Sequence, residues 1–309
     1  LSKNSSTACS AAIAGAVASQ KSDDDTTARI VDSSLSDLAD QSGSLVLRAL
    51  KSGERTAVAT GISANLSKGS TTSLSLVGSA SVTTTSDDTV AAMDDSAVSG
   101  DVATPTALGV QVVAYDRSRI GAGGGALSVS TGKGSAGVGA AISIVNAKGS
   151  TQARVADGSI ERAHDLAVLA LSSQKVGGVA AVGGLQTSSD ASSLGQLMGS
   201  FVYNHIDTTL TAGVTDGAVV NLTGDLALQA GGAPTDAALD ALLGSVRSSE
   251  VTDYEMASTS NSYTDEFKSA VGGESIVGVA GTLSVTLGGS SSSLGLSYVH
   301  NDIQSTYDA

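Results

Sequence analysis

Apolar and small polar residues alternate along most of the chain, in pieces such as SLVLRA (44–49), LGVQVVA (108–114), LAVLA (166–170) and LALQA (226–230). A period of two is the pattern of β-strands with one buried face. Gly, Ser, Asn and Asp punctuate the pieces, as in GVGAAISIVNAKGSTQARVADGSI (137–160). This predicts short strands joined by tight corners. One segment departs from the pattern. Pro234-Thr235-Asp236 precedes AALDALL (237–243), with Thr235 as an N-cap and Ala238, Leu239, Leu242 and Leu243 at helical spacing, which predicts a short helix.

The alternation is itself repeated. ARIVDSSL (28–35), VAAMDDSAV (90–98), ARVADGSI (153–160) and LTAGVTDGAVV (210–220) share an Asp phrase, and Asp32, Asp95, Asp157 and Asp216 follow one another at 63, 62 and 59 residues. A polar phrase precedes each copy, for example LSKGSTTSLS (66–75) and LGGSSSSLGLS (287–297). IQSTYDA (303–309) aligns with IDTTLTA (206–212) at a spacing of 97, which places an insertion within 233–270. The expected organisation is repeats over 1–232, a lateral insertion over 233–270, and a continuation over 271–309 that stops inside a repeat. A chain that stops there is expected to be part of a longer array. The predicted fold class is all-β: a β-solenoid, or parallel β-helix, built from repeats of about 60 residues. Three coils of roughly 20 residues per repeat, stacked at about 4.8 Å, predict a rod of roughly 70 Å.

Composition narrows the core and the partners. The 309 residues include 37 Gly, 2 Pro, 6 Tyr, 2 Phe and no Trp, while 41% are hydrophobic and mean hydropathy is positive. The chain is too apolar to be disordered, and its Ala, Val, Leu and Ile suit a narrow β core. Sixteen Lys+Arg against 30 Asp+Glu give a net charge of −14, which disfavours nucleic acid and anionic membranes as partners. Cys9, the only cysteine, excludes an internal disulfide and a multi-cysteine zinc site, and it is expected in the core. No run of 18 strongly apolar residues occurs, so no direct membrane insertion as a helix is expected.

GSASVTTTSDDTVAAMDDSAV (78–98) and GAGGGALSVSTGKGSAGVGAAISIVNAKGSTQARVADGSI (121–160) resemble the repeats of giant bacterial surface adhesins of the filamentous-haemagglutinin and leukotoxin kind. The resemblance covers nearly all of the chain outside 233–270. It implies a secreted β-solenoid stalk, exported by a type V or similar route and displayed at the outer surface of a Gram-negative cell.

Several residue groups invite a chemical reading. Asp23, Asp24, Asp25, Asp87 and Asp88, with Asp94 and Asp95, are weak calcium candidates set against solvated turns. With three coils per repeat, successive marker Asp residues would lie about 14 Å apart, too far to share an ion. Tyr115, Asp116, Arg117 and Arg119 read as a salt-bridged surface turn. GAGGGA (121–126) reads as a close-packed corner rather than a phosphate loop. His205 and His300 fall in similar contexts, NHID and VHND, and suggest a shared surface position. No catalytic residue, cofactor site or resident metal is assigned. Tyr254, Glu255, Tyr263, Asp265 and Phe267 in the insertion form the candidate contact surface.

The expected role is structural: a stalk segment that extends and presents binding regions to a host or neighbouring cell or to extracellular matrix. Self-association is a candidate property. A self-assembling extracellular filament subunit is the alternative, and a polysaccharide-active β-helix enzyme ranks below it.

Overall fold

The computed structural model describes residues 9–36, 38, 44–66, 72–100, 108–187, 195–232, 268–271, 274–287 and 292–309. β1 (Cys9–Ser22) and β2 (Asp25–Val31) open a first turn completed by β3 (Ser34–Leu35), β4 (Ser44–Lys51) and β5 (Glu54–Leu66). The second turn is β6 (Thr72–Asp94), β7 (Ala97–Ser99), β8 (Gly109–Asp116) and β9 (Arg119–Thr131). The third is β10 (Ala136–Ala156), β11 (Ser159–Ala163), β12 (Asp165–Ser172) and β13 (Lys175–Thr187). The fourth is β14 (Gly195–Thr215), β15 (Val219–Leu222), β16 (Leu226–Gly232), β17 (Lys268–Val271) and β18 (Glu274–Leu287). β19 (Ser293–Asp308) begins a fifth.

Strands of successive turns pair in parallel, giving four stacked sheets: β1-β6-β10-β14-β19, β3-β7-β11-β15, β4-β8-β12-β16, and β5-β9-β13-β18. The chain is an all-β parallel solenoid. Its register follows the repeat: Leu74 pairs with Ala136, Ala136 with Gly195, and Ile206 with Ile303.

One repeat is therefore one turn, and the expectation of three coils per repeat is wrong. The Gly and Ser residues taken for corners lie inside long strands; β10 runs unbroken for 21 residues through Gly149. Five strands at about 4.8 Å span roughly 24 Å along the axis, in place of the expected 70 Å.

The repeated Asp turns out to be the corner that ends each long strand. Asp32, Asp95, Asp157 and Asp216 have φ of 49°, 48°, 51° and 54°. The left-handed region penalises most side chains, but a short polar one tolerates it. Corners also bond turn to turn: the Asp95 N–H donates to the Ala156 carbonyl at 3.0 Å, and the Ser33 N–H to Ser96 Oγ at 3.2 Å. Successive marker residues thus stack at about 4.8 Å rather than the expected 14 Å.

The long sheet faces two partners. Its second half packs on the two short-strand sheets through Met93, Val110, Val155, Ile160, Val168 and Leu210, all fully buried. Its first half packs on the β5-β9-β13-β18 sheet through small side chains such as Ala126, Ala141 and Ala180. There the sheets approach so closely that side-chain hydroxyls reach the opposite backbone. Thr83 Oγ1 donates to the Gly121 carbonyl at 2.6 Å and Ser143 Oγ to the Ala122 carbonyl at 2.8 Å. These bonds satisfy part of a core lined by Ser and Thr, while the buried hydroxyls of Ser73, Ser79, Thr85, Thr89 and Ser130 make no such bond.

Residues 233–273 replace what are two-residue corners at 52–53, 117–118 and 173–174 in the earlier turns. The helix expected at 235–243 lies outside the described residues. At the end of this segment β17 runs antiparallel along the free edge of β18, with Val271 opposite Glu274 and Ser269 opposite Ile276.

Candidate functional site

The acidic residues of the first two turns converge on cations of the chain itself. Asp87 is buried in the long strand β6, where the chain passes from one packing partner to the other. Lys51 Nζ lies 3.2 Å and Arg55 Nη1 3.0 Å from its carboxylate, both reaching across from the corner between β4 and β5. The Asp24 N–H donates to Asp87 at 3.2 Å, and Lys51 also donates to the Asp24 carbonyl. Asp24 itself accepts from Ser22 Oγ at 2.7 Å and from Arg55 at 2.5 Å, and these hydrogen bonds hold its carboxyl below the ordinary range. Asp88 accepts from the Ser150 N–H at 2.9 Å and Oγ at 2.7 Å, one turn away. Asp25 sits beside Asp88 in the ladder. These carboxylates tie neighbouring turns together, and among the described residues no three His, Cys, Asp or Glu side chains gather as a metal site.

A second ionic group spans three turns. Asp94 accepts two bonds from Arg154, from Nε and Nη2 at 3.0 Å each, and one from Arg29 at 2.6 Å. Arg154, followed by Arg29, lowers the Asp94 pKa, and the same contact raises that of Arg154. A carboxyl that titrates lower in the folded than in the unfolded chain stabilises fully above its ordinary value of about 3.9. That stabilisation is lost as pH falls through the lowered folded value. Arg154→Ala should cost ~0.5–1 kcal/mol at pH 7, the scale of a half-exposed pair, and less at pH 2. Thermal melts of both proteins at the two pH values measure this; an equal deficit at both would contradict the clamp.

The Tyr115–Arg119 cluster is not the salt-bridged surface turn expected. Asp116 is buried and accepts from the Ser118 N–H at 2.9 Å, from Ser118 Oγ at 2.5 Å and from Gln174 Nε2 at 2.6 Å. Arg117 instead lies over the Tyr115 ring, 6.0 Å from its centre. Cys9 is exposed rather than in the core: it opposes Thr72 on the outward side of β1. GAGGGA lies in mid-strand in β9 rather than at a corner.

His205 and His300 are close neighbours, though not in one position: His205 pairs with Asp302, and His300 with Tyr203. His205 Nδ1 lies 3.2 Å from Asp302. The rings stack along the axis, Phe201 on Tyr298 and Tyr203 on His300, each at 5.4 Å between centres and within 11° of parallel. The chain has only 8 aromatic residues among Tyr and Phe, and three of them share this outward patch with two of the 3 His. Beside it runs a column of Ile13, Leu76, Val138, Leu197 and Leu294. Sequence reading placed the strands but missed this face. Its signal was present in stretches such as AAISIV (140–145), which are apolar on both sides of the strand.

The candidate contact residues Tyr254, Glu255, Tyr263, Asp265 and Phe267 lie outside the described residues. No helix among the described residues is long and apolar enough to cross a membrane. Compared with protein families, curated proteins and solved structures, the chain finds no match.

Proposed function

We propose that the chain is a structural segment of a large secreted bacterial surface adhesin, which extends and stiffens a stalk and presents binding regions to cells or matrix. The observation that carries this reading is the unbroken parallel ladder from β1 to β19 in register with the sequence repeat. In such a ladder each repeat adds about 4.8 Å of length and contacts only its neighbours, so the reach of a stalk scales with repeat number. The polar chemistry supports the same role. Asp87, Asp88 and Asp94 are spent on contacts between turns. The resemblance of the repeats to surface adhesins supplies the setting, the outer surface of a Gram-negative cell.

The test uses the bacterium that carries the chain. An antibody raised against residues 1–309 should label intact cells, and deleting the segment in frame should reduce attachment to host cells or matrix. Labelling only after permeabilisation, or attachment unchanged by the deletion, would overturn the proposal.

A further inference from the structure

The outward face of the long-strand sheet is apolar where a solvated sheet face is normally polar. Ile13 is 78% exposed, Val17 81%, Leu296 60% and Tyr298 54%. Lys21 and Asp302 stand at one margin of this face, in the same column and at opposite ends of the sheet. The geometry points to a second copy of this chain as its occupant, packed face to face with its solenoid axis reversed. The inference concerns the solenoid of residues 1–309 taken alone.

Bulk along each column carries the argument. One outward column begins at Gly15 and ends at Leu296, the next runs from Val17 to Tyr298, and the third from Ser19 to His300. The same grading holds one turn inward, with Ala80 opposite Phe201 in turn order. In these three columns the face is low at the first turns and high at the last, beside a column that is large throughout, from Ile13 to Leu294.

A twofold axis parallel to the strands through the middle turn sets the first turn of one copy against the fifth of the other. Leu296 then lies over the partner copy's glycine column, where the space above Gly15 is open to beyond 4 Å. Tyr298 covers Val17, Phe201 covers Ala80, and Ile142 meets its own counterpart. Lys21 meets Asp302 twice, once from each copy. The other face-to-face twofold, along the solenoid axis, sets high turns on high turns and carries the Lys21 column to the opposite margin, away from the partner copy's Asp302.

The area suffices. Five strands at about 4.8 Å, by ten residues at about 3.3 Å, give roughly 800 Å² per copy, the size of a standard stable interface. Two such faces stack as a β-sandwich does, each column on itself, with the bulkier residues of the last turns over the smaller ones of the first in the columns that begin at Gly15, Val17 and Ser19.

Sedimentation velocity on the full chain tests this. The wild type should be dimeric at about 100 μM, a concentration well above the Kd of a standard interface. Ile142→Asp should be monomeric with unchanged circular dichroism, because residue 142 points away from the core, and should melt lower only at concentrations where the wild type is dimeric. Lys21→Asp and Asp302→Lys should each weaken dimerisation about tenfold, and the double variant should recover it. In a Cys9→Ser background, Ile142→Cys should cross-link to itself, whereas Val17→Cys should cross-link only when mixed with Tyr298→Cys. A monomeric wild type, a dimer indifferent to Ile142→Asp, or ready self-linking of Val17→Cys would overturn the proposal. So would a monomer that sediments with phosphatidylcholine vesicles, which would make the face a lipid surface.

Discussion

Val168→Asp is expected to unfold the third turn and to loosen the second and fourth. Val168 is fully buried in β12, between Val112 of the preceding turn and Leu228 of the following one. It faces the fully buried long-strand residues Val155 and Leu210 within one continuous apolar core. An ionised carboxylate there would have no cation or donor to meet it, and its desolvation alone exceeds about 4 kcal/mol. Because each turn is held by its neighbours, the damage spreads along the axis rather than staying at one strand. Asp157→Asn is the matched control. Asp157 is exposed at a corner with φ of 51°, a conformation Asn shares, so its melting should stay within about 0.5 kcal/mol of wild type. Urea unfolding followed by circular dichroism compares them, and equal tolerance at the two positions would contradict the assigned facing.

The repeat was legible because the chemistry of its corners is local. A left-handed corner selects a short polar residue, so Asp32, Asp95, Asp157 and Asp216 recur at nearly constant spacing, and the alignment of Ile206 with Ile303 is also the ladder register. Strand length was not legible. A Gly or Ser required by an opposing backbone looks, in sequence, like one required by a turn, so a strand of 21 residues read as several short ones. The ion pairs of the acidic residues were not legible for a related reason. Asp24 and Asp87 read as an acidic cluster since their neutralising partners, Lys51 and Arg55, arrive from a different sheet. Asp116 read as exposed because its donors are the uncharged Ser118 and Gln174. The apolar outward face escaped because each turn contributes only a few residues to it. It appears only when Gly15, Val17, Phe201 and Tyr298 are set side by side by the ladder.

The distinction between a turn glycine and a close-approach glycine has a direct consequence at Gly124. This residue points inward from β9, between Ala59 and Ala180 of the adjoining turns. A Cβ placed there would lie 2.7 Å from the Ile142 carbonyl oxygen and 3.2 Å and 3.3 Å from its backbone carbon and nitrogen. Those atoms belong to β10, held on both sides by ladder bonds to β6 and β14, so they cannot shift alone. Gly124→Val must instead push the two sheets apart. The hydroxyl bonds that span the gap, Ser143 to Ala122 and Thr83 to Gly121, would stretch beyond bonding distance and leave buried donors unsatisfied. Overpacking and lost hydrogen bonds together should cost about 2–4 kcal/mol. Gly123, one residue earlier, points outward, and a Cβ there meets only the Val58 methyls at 3.6 Å and 3.7 Å. Gly123→Ala should therefore be neutral or stabilising by up to about 1 kcal/mol through the unfolded chain. Differential scanning calorimetry of the two variants separates the accounts: similar melting of both would mean that the small residues of the long strands are not set by sheet approach.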